Sequence, residues 1–368
     1  MQIFAKNSSF GIAPIFRLMG FRSMGFGLLA PASILLTGWL IAIILIAFMA
    51  LTGCTQKKED SVLAAKSETS IRRTDQFQAA ATNQKKAVVV GGKVIMLLDL
   101  QSNDRSRITL PGSPALIDVT SCADGSFVAL DFYRKVWTAD SNAANWKPQN
   151  ISGDWRPLAL TCDSKNRIWV VGSFSTIASS ADHGSSWQTT DFKEDAMFNT
   201  VQFVNDTHGF ITGEFGTVYR TTDSDATWQA ENKIPGDFYP YSALFTNPAD
   251  GYITGLTGAI LTTKDAGKTW EKLENPSALP QFGLAKQGGN VYSVGMNGSL
   301  LKLQNQQWQA IKHGAETASY LRAVLPLGAD RLLIAGASGA LHIAQLAGAA
   351  QLASVAQSTG ADKKAGMK

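Results

Sequence analysis

The sequence predicts an all-β fold, a seven-bladed β-propeller, from two markers that recur at one period and from the local alternation of apolar residues. The first marker is an apolar run that ends in glycine, and its end recurs every 40 to 42 residues. A second marker, tryptophan, keeps nearly the same period, and two independent markers with one period indicate an internal repeat. The runs end at Gly91, Asp131, Gly172, Gly213, Gly255, Gly295 and Gly336, and the tryptophans are Trp146, Trp187, Trp228, Trp270 and Trp308.

The pattern within one repeat predicts four short β-strands. Between residues 200 and 231, runs rich in Thr, Val, Ile, Phe and Tyr are separated by turn-forming Gly, Asp and Ser. Apolar residues do not recur every three or four positions over a helical length, which excludes helical repeats. Four strands in about 41 residues is the pattern of a propeller blade. Seven such repeats fill residues 80–368, so the sequence predicts one closed ring rather than two domains.

A turn motif, Ser/Thr-x-Asp-x-Gly-x-x-Trp, follows the third predicted strand of several repeats. We expect its Asp to accept backbone N–H bonds inside the turn, its Gly to adopt a left-handed conformation and its Trp to pack within the blade. Because all three residues serve folding, the motif predicts structure rather than catalysis. Two repeats carry it in full and a third has Asp225 at the glycine position: Asp182, Gly184 and Trp187; Asp265, Gly267 and Trp270; and Asp223 with Trp228.

The turn motif resembles the Asp box of the bacterial neuraminidase repeat (BNR). The longer pattern in residues 213–223 and 255–265, with paired glycines ahead of the box, is similar to blades of the photosystem II stability and assembly factor family. This resemblance implies a seven-bladed propeller without enzymatic activity or cofactors, which assists the assembly or stability of a membrane protein complex. The resemblance spans residues 88–343 and is closest between 172 and 275.

Residues 1–53 have the pattern of an export signal. They hold three basic residues, no acidic residue and an apolar run over 33–51 that is long enough to span a bilayer. The segment ends in Leu-Thr-Gly-Cys54, which resembles a bacterial lipoprotein signal box, and this resemblance implies a lipid-modified Cys54. An uncleaved membrane anchor is the alternative. We expect an exported, membrane-anchored lipoprotein on the periplasmic side of the inner or outer membrane.

Composition divides the rest of the chain into a flexible tether at 54–86, the propeller at 87–360 and a disordered tail at 361–368. The tether is rich in Ala, Ser, Thr, Gln and Lys and poor in large apolar residues, so it has no core of its own. Residues 54–368 carry 30 basic and 29 acidic side chains. This near-neutral body argues against a nucleic-acid partner, and we expect a monomer.

Two further cysteines, Cys122 and Cys162, occupy matching places in neighbouring repeats. In an exported protein two such thiols can form a disulfide. The alternative is a pair of small, buried core residues, and the sequence leaves both open.

The alternative function is a sialidase-like glycoside hydrolase or a sugar-binding propeller, since such proteins also carry Asp boxes. A sialidase needs three arginines that clamp the substrate carboxylate, a tyrosine nucleophile and acid/base carboxylates. The segment closest to the Arg-Ile-Pro-like one that this resemblance requires begins at Arg107, and it lacks the proline. The histidines form no HxH or HExxH pattern: they are His183, His208, His313 and His342. We therefore predict no catalytic residue, no metal and no cofactor.

A non-enzymatic ring acts through its surfaces, and aromatic residues gather in the segments predicted for one face. They lie at hairpin tips between second and third strands and in the connections between blades two to five. An exposed cluster of this kind beside an arginine predicts a docking site for a membrane-protein subunit or complex. For each ring the alternative is to fold inward and cap the core. The predicted docking residues are Tyr133, Trp155, Arg156, Phe174, Phe215, Phe238 and Tyr239.

Overall fold

The structure, a computed structural model, describes residues 70–346 except 225, 226, 237, 315, 316 and 329. The predicted signal segment, Cys54 and the predicted tail lie outside the described residues. Among the residues that are described, none of the helices has the length and hydropathy of a membrane span.

Seven antiparallel sheets form the blades of a propeller, which confirms the predicted fold. Each sheet is a meander in which strands that are consecutive in sequence pair side by side. Blades 1 to 4 contain β1 (Ala79–Thr82), β2 (Lys86–Gly91), β3 (Val94–Asp99), β4 (Arg105–Ile108); β5 (Leu116–Ser121), β6 (Phe127–Asp131), β7 (Lys135–Ala139), β8 (Lys147–Asn150); β9 (Pro157–Cys162), β10 (Ile168–Gly172), β11 (Thr176–Ser180), β12 (Gln188–Asp191); and β13 (Phe198–Phe203), β14 (Gly209–Gly213), β15 (Val218–Thr221), β16 (Gln229–Ala230).

Blades 5 and 6 have four strands, and blade 7 has three among the described residues. Short 3-10 turns form the hairpin tips of blades 4, 5 and 6, at Glu214–Gly216, Leu256–Gly258 and Met296–Gly298. The strands are β17 (Pro240–Phe245), β18 (Gly251–Gly255), β19 (Ile260–Thr263), β20 (Glu271–Leu273); β21 (Gln281–Gln287), β22 (Asn290–Gly295), β23 (Leu300–Gln304), β24 (Gln307–Ala310); and β25 (Leu321–Pro326), β26 (Arg331–Gly336), β27 (Leu341–Gln345).

The core lies between the blades rather than at one centre. The second strand of a blade, such as β10 or β14, is buried along its whole length because neighbouring blades cover both of its faces. The first strands contact one another in sequence around the channel, and β1 contacts β25 to close the ring. Between blades 7 and 1, Phe77, Met96 and Leu333 share one apolar cluster. The apolar faces of neighbouring blades bury each other, and this burial stabilises the contact between one blade and the next.

The first blade begins earlier than predicted. The predicted tether extends to residue 86, but β1 starts at Ala79 and Phe77 is fully buried. The Phe77 N–H donates to the Gly336 carbonyl at 3.0 Å, which ties blade 1 to blade 7. The boundary at residue 87 is therefore wrong. The innermost strand here consists of alanines and a threonine, which give no sequence signal of a strand.

Close contact between backbones explains the glycine that ends each second strand. A Cβ atom on Gly172 would lie 1.9 Å from the Arg156 carbonyl oxygen, and one on Gly336 would lie 2.0 Å from the Tyr320 carbonyl oxygen. Blade 2 has Asp131 at this position, where its buried carboxylate accepts a bond from Trp137 Nε1 at 3.1 Å and two backbone N–H bonds. The one exception to the glycine pattern is thus a satisfied carboxylate.

A disulfide and a hydrogen bond join blades 2 and 3. Cys122 and Cys162 form a disulfide with a Cα–Cα distance of 5.1 Å, at the ends of β5 and β9. One carboxylate oxygen of Asp118, on β5, accepts the Leu160 N–H of β9 at 2.9 Å. Of the two states that the sequence leaves open for the thiols, the structure has the disulfide.

Candidate docking surface

The hairpin tips and the blade connections share one face of the ring. The Ser175 N–H, at the tip of blade 3, donates to the Ala196 carbonyl of the next connection at 2.8 Å. At the tip of blade 4, the Gly216 N–H donates to the Phe238 carbonyl of the next connection at 2.7 Å. These contacts place residues from separate segments side by side, so side chains from tips and connections can form one surface.

Aromatic side chains project from this surface over blades 2 to 5. The exposed fraction is 70% for Tyr133, 54% for Phe174, 47% for Phe215 and 38% for Tyr239. We call these four residues the aromatic arc. Phe132, Met197 and Leu256 are also exposed and lie in the same tips and connections, a set that the sequence analysis missed. Position in a tip was the signal that could have found Phe132 and Leu256.

The prediction of exposure is wrong for Trp155 and Phe238. Trp155 is only 6% exposed and packs in the cluster between blades 2 and 3, with its Nε1 donating to the Ser152 carbonyl at 3.0 Å. Phe238 is 9% exposed and packs with Val218 and Ile234. Both rings cap the core because a connection that crosses between two blades passes directly over the gap between them.

Two rings of the aromatic arc lie on left-handed backbone. Phe174 and Phe215 both have φ of 57°. The tips of blades 5 to 7 have the same conformation with Thr257, Asn297 and Ser338 in that place. A bulky aromatic residue is rarely left-handed, and such a conformation costs on the order of 1 kcal/mol or more. Asn297, at the same place in blade 6, is of a type that tolerates this conformation, so blades 3 and 4 present an aromatic ring where asparagine would be less strained.

A cation accompanies the arc. The Arg156 guanidinium lies 3.9 Å from the centroid of the Phe132 ring. Neighbouring charges are already paired: Arg134 with Asp154 at 3.2 Å and Lys193 with Asp191 at 2.7 Å. Within the part of the chain that the structure describes, Arg156 has no carboxylate partner, so its charge remains available to a ligand.

A buried carboxylate fixes the position of one ring of the arc. Glu214, at the tip of blade 4, accepts the Tyr239 hydroxyl on one oxygen and the Met197 N–H at 3.1 Å on the other. The Phe215 ring meets the Tyr239 ring edge-on, with 6.4 Å between centroids. Tip and connection are thus locked together before any partner binds, which limits the entropy lost on binding.

On this face of the propeller, β-bulges in the first strands surround the central channel. The first strands of blades 2 to 7 each have a register shift near their start, and a bulge directs the extra side chain away from the sheet. Tyr241 and Phe282 are the extra residues of the bulges in blades 5 and 6, and their ring centroids lie 5.0 Å apart. The Phe282 ring lies 5.8 Å from that of Tyr320, which directly precedes β25. None of these three was predicted as a site residue.

One carboxylate of the channel has an unusual pKa. Burial raises the pKa of Asp118 to about 6, against the opposing effects of the Leu160 and Val119 N–H bonds and of the Arg322 charge. Its folded-state pKa lies above the ordinary value, so the proton binds more tightly in the folded state. Ionisation of Asp118 therefore lowers stability as the pH rises from about 4 to 6.

The Asp-box residues lie within their own turns between third and fourth strands. Asp182 accepts the Ser186 N–H at 2.8 Å, Asp223 accepts the Thr227 N–H at 3.0 Å and Asp265 accepts the Thr269 N–H at 2.8 Å. Hydrogen bonds from the Ser186 hydroxyl and N–H lower the pKa of Asp182 to about 2. None of these three carboxylates lines a channel or cavity among those described, so the boxes have no part in a common site.

The glycines and tryptophans of the boxes complete these turns. Gly184 and Gly267 have φ of 88° and 90°, and their carbonyls accept the Nε1 hydrogens of Trp187 and Trp270 at 3.1 and 3.0 Å. Trp228 packs instead against Trp169, with 6.1 Å between ring centroids. The indole rings are half-buried at the outer side of each blade.

Replacing Asp265 by alanine is expected to lower the free energy of unfolding by about 1 kcal/mol, since the Thr269 N–H loses its acceptor. Hydrogen bonds from Thr269 lower the pKa of Asp265, so its contribution is present above pH 5 and is lost as the pH falls below about 4. Urea unfolding at pH 7 and pH 3 measures this. The control Asp206→Ala removes an exposed carboxylate and should change little. An equal loss at both pH values would contradict the assignment.

The groups that a sialidase needs are dispersed. Arg167 pairs with Asp163 at 2.6 Å and Arg220 pairs with Glu231 at 2.7 Å, each within its own blade. Arg322 lies elsewhere, in the channel, where its positive charge opposes the rise in the pKa of Asp118. Four cavities lined by described residues have at most two arginines each. Within the same residues no group of three His, Cys, Asp or Glu could hold a metal ion.

The structure brings two histidines together that the sequence pattern did not pair. His313 Nδ1 lies 2.9 Å from His342 Nε2, and His313 Nε2 lies 2.9 Å from the Gly298 carbonyl oxygen. Since a carbonyl oxygen only accepts, His313 Nε2 carries a hydrogen, and in the neutral imidazole its Nδ1 then accepts one from His342. This pair joins blades 6 and 7.

Comparison with known proteins agrees with this architecture. The family described as photosynthesis system II assembly factor YCF48 matches residues 121–220 and 185–285 in overlapping stretches. The chain is a BNR-type propeller that resembles this family. A comparison with curated proteins finds no match.

Solved structures with the same fold include both assembly factors and an enzyme. The structure of YCF48 bound to D1 peptide is 15% identical, covers 75% of this chain and 94% of its own, and has a TM-score of 0.63. YCF48 from Cyanidioschyzon merolae is 11% identical, covers 76% and 98%, and has a TM-score of 0.62. Virginiamycin B lyase from Staphylococcus aureus is 13% identical, covers 76% and 98%, and has a TM-score of 0.66. At these identities the likeness shows the fold alone.

Proposed function

We propose that this protein is a non-enzymatic, membrane-anchored scaffold that holds a segment of a membrane-protein subunit while a membrane complex is assembled or stabilised. The observation that carries the proposal is the aromatic arc. Its rings are exposed, two of them lie on strained backbone, and Arg156 beside Phe132 has no carboxylate partner within the described residues. Exposed aromatic and arginine side chains are the residue types that dominate binding energy at protein interfaces.

The comparisons support the class of partner. The family that this chain resembles is described as an assembly factor. One solved structure of the same fold is that of YCF48 bound to a D1 peptide. The arc combines apolar rings with one cation, so it suits an apolar segment with a carboxylate near it. The dispersed arginines support a scaffold over a glycosidase, although the propeller fold itself also occurs in virginiamycin B lyase.

Membrane anchoring through Cys54 belongs to the same proposal. A disulfide between Cys122 and Cys162 is the kind of bond that persists in oxidising compartments, which supports export. A lipid on Cys54 would keep the propeller near the bilayer and raise its effective concentration for membrane partners. The charge of residues 54–368 is close to zero, so affinity depends on short-range contacts rather than on steering.

The test of the docking surface is the double variant Phe174→Ala/Phe215→Ala. We expect it to bind the partner about 30-fold more weakly, since loss of buried interface aromatics costs ~2 kcal/mol or more. Crosslinking in membranes of the host measures the yield of the crosslinked partner. The matched control is Thr257→Ala/Asn297→Ala, which alters the equivalent tips of blades 5 and 6.

Two outcomes would contradict the proposal. Equal crosslinking by the aromatic and control variants, with equal thermal midpoints, would remove the aromatic arc as the docking surface. A Cys54→Ala chain carried through the same preparation should appear as precursor or leave the membrane fraction. If neither its mass nor its membrane fraction changes, the lipid anchor is wrong.

A further inference from the structure

A cavity of 470 Å³ lies on the same face as the aromatic arc, at blade 1. Three segments form its walls: residues 72–76 ahead of β1, the tip between β2 and β3, and the end of β4 with the connection after it. The Gly339 N–H donates to the Asp75 carbonyl at 2.9 Å, which fixes the first of these walls against blade 7. This wall of the cavity is therefore anchored by a backbone hydrogen bond.

A buried arginine forms one wall. The Arg107 side chain is nine-tenths buried, and its Nη2 donates to the Asp75 carboxylate and, at 3.1 Å, to the Ser70 carbonyl. Its Nε hydrogen is buried and has no acceptor among the described residues. A buried donor on a charged group that lacks an acceptor is costly, and an oxyanion bound in the cavity that Arg107 lines would supply acceptor oxygens next to this guanidinium.

The other polar side chains of the lining are two cations, three hydroxyls and the amide of Gln76. Arg72 and Lys93 are exposed at the rim, and the hydroxyls come from Thr74, Thr109 and Ser113. The one carboxylate of the lining, Asp75, is already engaged by Arg107 and by the Arg72 N–H at 2.7 Å. Three cations against one committed carboxylate leave a positive site, although residues 54–368 as a whole are almost neutral.

The tip of blade 1 also differs from its neighbours in chemistry. Lys93 stands in the tip between β2 and β3, where the corresponding tips of blades 2, 3 and 4 present Tyr133, Phe174 and Phe215. The face thus changes from apolar to cationic within one blade. Blade 1 therefore suits a ligand of different chemistry from one that binds the aromatic arc.

We propose that this cavity binds the phosphate group of a phosphate ester, either the headgroup of an anionic phospholipid or a free phosphate ester. A guanidinium and an ammonium with surrounding hydroxyls match the several acceptor oxygens of phosphate, and the volume leaves room for a glycerol or sugar next to it. If Cys54 is lipidated as proposed above, Arg72 is about 18 residues along the chain, a span of at most about 65 Å. A phospholipid headgroup is therefore within reach of the cavity, and its binding would orient the propeller on the bilayer.

The experiment uses the full chain in micelles of a neutral detergent. Three probes are titrated: inorganic phosphate, short-chain phosphatidylglycerol and short-chain phosphatidylcholine, with binding followed by calorimetry. The variant is Arg72→Gln/Lys93→Gln, which removes two exposed charges. The matched control is Lys264→Gln/Lys268→Gln, which removes two exposed charges at the Asp box of blade 5. Equal thermal midpoints establish that both variants are folded.

We expect phosphatidylglycerol to bind in preference to phosphatidylcholine, and the Arg72/Lys93 variant to weaken its binding about 30-fold, at ~1 kcal/mol per basic residue. The Lys264/Lys268 control should bind as the natural chain does. Saturable binding of phosphatidylglycerol but not phosphate supports the headgroup source. Saturable binding of phosphate but not phosphatidylglycerol supports a free ester. No saturation by either probe, or equal weakening in the control, overturns the proposal. The proposed docking function depends on other residues and is unaffected by either result.

Discussion

Replacing both Cys122 and Cys162 by serine is expected to lower the free energy of unfolding by about 4 kcal/mol. The disulfide closes a loop with a sequence separation of 40 residues, and its removal releases the unfolded chain to sample many more conformations. It is a covalent bond between blades 2 and 3, which are also joined by hydrogen bonds between Asp118 and Leu160 and between Asp124 and Asn166. Since folded domains have about 5–15 kcal/mol of stability in total, the loss should be large at any temperature.

Urea unfolding with and without dithiothreitol measures the effect. The reductant should lower the midpoint of the natural chain to that of the double serine variant and leave the variant where it is. This comparison separates loss of the bond from any effect of serine packing, because the reduced chain still has both sulfur atoms. A natural chain with the same midpoint in both conditions would show that the disulfide is absent or contributes nothing.

The fold could be predicted from the sequence because each blade repeats the same physical requirements. Gly172 and its counterparts recur since a Cβ there would collide with the preceding connection, and Trp187 and Trp270 recur since their indoles close the Asp-box turns. Requirements of this kind fall at fixed places in each repeat. They therefore appear as a period in the sequence, as does the alternation of apolar residues in each strand.

The candidate sites could be predicted only in part, because the sequence does not show which way a ring points. Phe215 and Phe238 both lie in segments of the docking face, yet one is exposed and the other fills the gap between blades. The strand at Ala79–Thr82 has the small residues of an innermost strand and no long apolar run, so the tether was predicted to extend too far. The cavity at blade 1 joins Arg72, Lys93 and Arg107 from three segments, and no local pattern links them.

Replacing Gly172 by alanine is expected to lower the free energy of unfolding by about 3 kcal/mol, at the upper end of the usual range for added core atoms. The new Cβ would lie 1.9 Å from the Arg156 carbonyl oxygen and 2.8 Å from Pro157 Cα. Both neighbours are backbone atoms, and the Arg156 carbonyl is held by the Ser173 N–H at 2.9 Å. The connection must therefore move as a whole, because no flexible side chain can give way.

Thermal unfolding tests this expectation against Gly289→Ala as the matched control. Gly289 has no neighbour within 4 Å of a Cβ and no left-handed φ, so the same substitution there should leave the midpoint within about 1 °C. At Gly172 a loss of about 3 kcal/mol corresponds to roughly 6–12 °C. Because the displaced connection contains Arg156, which lies against Phe132 at the edge of the docking face, partner crosslinking should fall with it. A Gly172→Ala chain as stable as the Gly289→Ala control would show that the two backbones are not in contact, and the explanation of the repeating glycine would fail.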